Sequence, residues 1–238
     1  MELFPEYAGW VRRNPPGKLL RQLGRTPLVE EAGRRIGALP VAELGSLTNE
    51  SSFTATIAPL DSRHQWSLGT AEQLVLQALV SGRKVRTAFE IGTFNGGTTR
   101  LLAEAVPEDG QVVTLDLPPA AFDATQTPEG FTGTDVGRAY HDSPAAGKVK
   151  QLLENSLSFD PKPYEGQFDL VLVDGGHEYE HGMADTATAL RLVAPGGIIL
   201  WDDFEPYWHG LVRGICEGMQ GRALHRLSGT SFGVYVQP

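Results

Sequence analysis

The chain has 238 residues, 41% hydrophobic and 21% charged, enough for one α/β domain with a full core and decorations. Its net charge of −9 repels phosphate, which argues against nucleic acid and for a small-molecule partner. A single cysteine, Cys216, excludes a disulfide framework, and neither a membrane span nor a secretory signal can be read in it, so a soluble, cytoplasmic protein is expected.

Residues 1–64 read as a helical or irregular N-terminal extension, with short helices around 16–24 and 28–37 and a break at Pro15-Pro16-Gly17. Residues 65–238 carry the regular pattern. In TAEQLVLQALVSG (70–82), Leu74, Val75, Leu79 and Val80 share one helical face, with Thr70 as N-cap. VRTAFEIG (85–92) is a strand, NGGTTRLLAEAV (95–106) a helix and QVVTLDL (111–117) a second strand, together a βαβ unit. The stretch 118–144, rich in Pro, Gly, Thr and Asp, has weak periodicity. So long a connection in a compact domain is a lid, a binding loop or disordered. KVKQLLEN (148–155) reads as a third strand or the end of a helix. FDLVLVD (168–174) is the fourth strand and HGMADTATALRLVA (181–194) the helix after it. IILWDD (198–203), entered through Pro195-Gly196-Gly197, is the fifth strand. A helix over 208–219 follows, and ALHRLS (223–228) and FGVYVQ (232–237), joined through Gly229, close the chain as an antiparallel hairpin. The pattern predicts an α/β fold with a Rossmann-like, doubly wound, mostly parallel seven-stranded sheet. Its ligand would sit outside the carboxyl ends of the strands.

Those ends deliver acids and glycines to one edge. The first strand runs into Glu90-Ile91-Gly92-Thr93-Phe94-Asn95-Gly96-Gly97-Thr98-Thr99, the second ends on Asp116, the fourth on Asp174 and the fifth on Asp202-Asp203. Gly92, Gly96 and Gly97 let the backbone come close to a ligand, in front of free N–H groups at a helix start. The dinucleotide fingerprint needs glycine where this chain has Phe94, which disfavours a nicotinamide or flavin. Glu90 suits an ammonium group better than a pyrophosphate, and Asp116 can accept hydrogen bonds from ribose hydroxyls. The plainer reading is a turn whose glycines only allow close packing; Glu90 and Asp116 together favour a nucleoside-type ligand.

These residues resemble the class I S-adenosylmethionine-dependent methyltransferases over about residues 65–238. Within that class, DGGHEYEHGMAD and APGGIILWDDF resemble the small-molecule O-methyltransferases of the metal-dependent, macrocin type. The resemblance implies S-adenosylmethionine as cofactor. Glu90 and the backbone around Gly92, with Thr93, Phe94, Gly97 and Thr98, would hold its methionine part, Asp116 the ribose, and Asn155 and Ser156 the adenine. Asp174 would lie on the cofactor side. His64 and Trp66 sit where members of the class close over the cofactor.

Asp174 converges with Asp202 and Asp203 in this topology. Three crowded carboxylates raise one another's pKa unless a cation neutralises them, and hard oxygen ligands suit Mg²⁺ or another divalent ion. The alternative gives them separate work, with Asp202 or Asp203 capping the next turn. In metal-dependent O-methyltransferases such an ion binds and orients the acceptor hydroxyl. His177, three residues past Asp174, is the natural general base, and otherwise a helix cap or a metal ligand. His181 faces the helix start in a structural or solvated role. Tyr207, Trp208 and His209 would line the pocket of a sugar or natural-product-like acceptor, with Phe204 as a hydrophobic cover. The function expected is methyl transfer to a hydroxyl of a small molecule. The alternatives are a nucleotide-dependent oxidoreductase and a cofactor-binding methyltransferase fold without turnover. A homodimer through the N-terminal region is a further expectation.

Overall fold

The computed structural model describes residues 27–48, 52–55, 68–122 and 131–238. The helix expected at 16–24, His64 and Trp66 lie outside the described residues. The helices are α1 (Pro27–Ala38), α2 (Leu44–Leu47), α3 (Thr70–Gly82), α4 (Gly97–Ala105), α5 (Arg138–His141), α6 (Tyr179–Leu192) and α7 (His209–Gly218). The strands are β1 (Val41–Ala42), β2 (Thr87–Ile91), β3 (Gln111–Asp116), β4 (Val149–Leu153), β5 (Phe168–Val173), β6 (Val193–Trp201), β7 (His225–Leu227) and β8 (Gly233–Val236). They form one sheet in the order β1-β7-β8-β6-β5-β2-β3-β4, parallel except for β8, which runs antiparallel to both β6 and β7.

The Rossmann-like α/β plan and the closing hairpin are as expected, but among the described residues the sheet has eight strands rather than seven. The extra one is the two-residue β1, which pairs in parallel with β7. Ser228 donates its N–H to the Ala42 carbonyl and Arg226 to that of Pro40. So short a strand has no hydrophobic period to read, and its pairing is visible only in three dimensions.

KVKQLLEN resolves as strand β4, in parallel register with β3. The connection over 118–144 is not featureless where it is described. It carries 3₁₀ turns at Pro119–Ala121 and Gly133–Asp135 and the short helix α5.

Strand periodicity sorts the core into two layers. In β2, Ala88 joins Leu76, Leu79, Leu102 and Leu172 on the α3–α4 side, while Phe89 and Ile91 join Val171, Leu192, Leu211 and Ile215 on the α6–α7 side. Both layers are apolar, as a sheet covered on both faces requires. Glu90 therefore points into the α3–α4 layer with no exposed surface, which makes its carboxyl the anomaly of that layer.

Helix α3 departs from its predicted face. It starts with Gly69, not Thr70, at the cap position, and Leu74 is exposed while Gln73 and Gln77 are buried. The glutamines are tolerated because Gln73 Nε2 donates to the Leu68 carbonyl and Gln77 Nε2 to that of Gln73. Among the described residues no helix is long and apolar enough to cross a membrane.

Candidate active site

The carboxyl ends of β2, β3, β5 and β6 lie side by side, and the loops leaving them are packed tightly. Gly92 has a φ of 100°, and a Cβ there would lie 1.9 Å from the Asp174 carbonyl oxygen. Gly96, with a φ of 81°, would drive a Cβ to 2.7 Å from the Tyr140 ring of α5. The close approaches these two glycines permit are thus made by the chain itself, which supports the packing reading of the loop. Phe94, where the dinucleotide fingerprint would have glycine, has a φ of 48°. It adopts the left-handed conformation glycine favours, and its ring stacks on Phe131 at 4.3 Å between centroids.

Asp116 ties this loop together. Its Oδ2 accepts the N–H groups of Thr93 (3.0 Å) and Phe94 (2.7 Å), and its Oδ1 accepts that of Leu117 (2.7 Å). Burial raises its pKa, against the pull of these three bonds. Glu90 accepts the hydroxyls of Thr99 (2.5 Å) and Thr114 (2.6 Å) on Oε2, and its Oε1 has no partner among the described residues. Burial pushes the Glu90 carboxyl up to about 8; the two threonine bonds oppose the shift and Asp116 adds to it. At the end of β4, Asn155 Oδ1 accepts the Leu157 N–H and caps the 3₁₀ turn Ser156–Ser158. Gly97 donates its N–H to Asn95 Oδ1 at 2.9 Å, and Thr98 is half-buried beside it.

On the other side of the edge, Asp174, Asp202 and Asp203 each bring an oxygen within 4.8 Å of the others. Burial and the charges of Asp202 and Asp203 hold the Asp174 carboxyl well above its ordinary value. Burial and Asp203 raise Asp202 to about 7, although Ser231 Oγ donates to Asp202 Oδ1 at 2.6 Å. Asp203 sits at a φ of 53°, a strained conformation for an aspartate. Carboxyl oxygens crowded this closely, with Asp174 and Asp202 held above their ordinary values, are short of positive charge, and a hard divalent cation fits that donor set.

His177 Nε2 lies 2.7 Å from Asp203 Oδ2, and the imidazole stacks on Trp208 at 4.1 Å, with Tyr207 edge-on to Trp208 at 4.7 Å. A cleft lined by Asp174, His177, Asp202 and Asp203 has Trp201 and Leu211 as its apolar wall. His209 is exposed at the start of α7, while Phe204 is buried. His181 packs its ring against Gly176, and burial lowers its pKa.

Three contributors went unread in the sequence. Glu205, two residues past the acid pair, is raised to about 8 by burial and by Asp203 and Asp202, and its Oε2 has no partner among the described residues. An acid following WDDF was the available signal. Ser231 and Tyr140 come from distant segments and carry no local signature.

The sheet order brings the strand-end acids and the glycine loop to one edge, the arrangement expected of a class I methyltransferase fold. The chain matches the family described as a methyltransferase domain over residues 89–204. It is 23% identical over 175 residues to caffeoyl-CoA O-methyltransferase 2 of Populus trichocarpa, covering 72% of this chain and 67% of that one. Tricin synthase 2 of Oryza sativa subsp. japonica is 27% identical over 174 residues, which cover 68% of this chain and 53% of that protein. The chain thus spans between about half and two thirds of the length of these relatives. The crystal structure of the O-methyltransferase TomG from Streptomyces achromogenes, in complex with S-adenosylmethionine, superposes with a TM-score of 0.57. It shares 20% identity and covers 79% of this chain and 94% of TomG. Residues 89–204 thus carry a methyltransferase domain, and caffeoyl-CoA O-methyltransferases are among the chain's relatives. This sets aside the oxidoreductase alternative.

Proposed function

We propose that the protein methylates a hydroxyl of a small molecule, sugar or natural-product-like, at a site that pairs a divalent cation with a histidine base. The carrying observation is the convergence of Asp174, Asp202 and Asp203 within 4.8 Å, with His177 bonded to one of them. In this reading the three aspartates hold the cation, and His177 takes the acceptor's proton. When bound, the cation supplies Lewis acidity that lowers the hydroxyl's pKa. S-adenosylmethionine supplies the methyl group.

The chain's own part is orientation and proton handling. If His177 donates Nε2–H to Asp203, its Nδ1 carries the lone pair that can accept a proton, and Asp203 stabilises the imidazolium that results. Trp208, stacked on the ring, limits its rotation. Glu90 Oε1, without a partner among the described residues, suits the cofactor's ammonium group. Gly92, Thr93, Phe94, Gly97 and Thr98 would face the methionine end, Asp116 the ribose through its remaining lone pairs, and Asn155 and Ser156 the adenine. Tyr207 and Trp208 offer aromatic faces to an acceptor ring, with His209 at the pocket rim.

Two measurements test this. S-adenosylhomocysteine should raise the melting temperature; no shift would remove the cofactor reading. Methyl transfer should fall by roughly a hundredfold or more in chelator and return with Mg²⁺. Full activity in chelator would leave the aspartates as turn caps.

A further inference from the structure

The connection between β3 and β4 is tied to Glu90 by side-chain hydrogen bonds that run in one direction. The Tyr140 hydroxyl donates to Gln151 Oε1 (3.0 Å), and Gln151 Nε2 donates to Thr93 Oγ1 (2.9 Å). The Thr93 and Thr114 hydroxyls are 2.6 Å apart, and Thr114 donates to Glu90 Oε2 (2.6 Å). The donor inventory sets these directions. An amide nitrogen only donates, so Gln151 must accept from Tyr140 at its oxygen. Thr114 commits its single proton to the carboxylate, so Thr93, already accepting from Gln151, donates to Thr114. The carboxylate is the terminal acceptor.

Most of the chain is shielded from water, with Gln151 partly buried in its middle. Tyr140 is 2% exposed, Thr93 3%, and Thr114 and Glu90 0%. Buried polar groups of this kind depend on each other, because a donor that loses its partner finds no solvent to replace it. The same segment grips the glycine loop through its backbone. Gly137 and Ala139 donate N–H groups to the Phe94 and Asn95 carbonyls, each at 2.8 Å, and the Tyr140 ring lies over Gly96.

We propose that Tyr140 and Gln151 are positioning residues for the cofactor. They hold the Glu90 carboxylate so that Oε2 stays committed to the threonines and Oε1 faces the ammonium group of the methionine end. The inference rests on the reading of Glu90 given above. It makes part of the long β3–β4 connection a component of the cofactor site, although in this role neither residue touches the cofactor.

Titration calorimetry of the full chain with S-adenosylhomocysteine tests it, at a temperature where each unliganded variant is folded. Tyr140→Phe keeps the ring over Gly96 and deletes only the first donor; Thr114→Val breaks the chain next to Glu90. Each should weaken binding by roughly 3–10-fold, the loss of one buried hydrogen bond. The double variant should bind no more weakly than the weaker-binding single variant, because both changes interrupt one chain. Independent packing roles would instead multiply, to roughly 10–100-fold, and that result overturns the proposal. So does Tyr140→Phe binding like the wild type. A wild type that does not bind S-adenosylhomocysteine overturns the cofactor reading itself, and this proposal with it.

Discussion

The two halves of the strand-end edge treat their carboxylates in opposite ways. On the β2–β3 side the acids are already supplied with donors: Asp116 accepts three backbone N–H groups and Glu90 two threonine hydroxyls. On the β5–β6 side Asp174, Asp202 and Asp203 face one another, and among the described residues the donors beside them include the Ser231 hydroxyl, the Asp203 backbone N–H and the His177 imidazole. The first half is organised by the protein alone and can grip a ligand of fixed shape. The second is short of positive charge, which protons or a cation must supply. Identical residue types thus do different work, according to the donors the fold places beside them.

The largest expected effect separates the halves by function. His177→Ala should lower turnover by roughly 10²–10⁴-fold, the usual contribution of a positioned base, while S-adenosylhomocysteine binds as before. Unchanged turnover would remove His177 from the chemistry, and lost binding would mean that the halves are one unit.

A smaller effect tests how far donors compensate for burial. The Glu90 carboxyl is raised from 4.5 to about 8, so the folded protein keeps a proton that the unfolded chain releases. Its contribution to stability is then full below about pH 4.5 and is lost as the pH rises through about 8. Glu90→Gln cannot ionise. Relative to wild type, its melting temperature should be higher at pH 9 than at pH 5 by about 3 °C or more. Parallel pH profiles would show that the threonine hydroxyls offset the desolvation fully.

The smallest effect concerns the loop itself. Phe94→Gly relieves a left-handed backbone, by about 1–2 kcal/mol, and gives up the stacking on Phe131, by about 0.5–1.5 kcal/mol with some buried area besides. These nearly cancel, so stability should change by less than about 1 kcal/mol in denaturant titration. A loss several times larger would make the ring pair a main support of the cofactor side.

Long elements were legible because they carry a period. FDLVLVD alternates between the two core layers, and its last residue, Asp174, emerges at the edge where an acid was expected. KVKQLLEN was ambiguous because an edge strand is half exposed, which blurs its alternation. The face of α3 was misjudged because two buried glutamines bond to backbone carbonyls, an arrangement that hydropathy does not encode. The glycines of the β2–α4 loop were expected to let the backbone approach a ligand or to allow close packing, and the groups packed against Gly92 and Gly96 are Asp174 and Tyr140.

The sequence by itself determined the class of fold, the positions of most strands along the chain and the acids that end them, since these follow from local hydrophobic period and residue type. Only the tertiary structure decided which acids are satisfied. That depends on Ser231, His177, Thr99, Thr114 and Tyr140, brought from separate segments to within a few ångströms of a carboxylate or its hydrogen-bonded neighbours. A hydrogen bond is fixed by distance and direction in space, and neither is written in the spacing of residues along a chain.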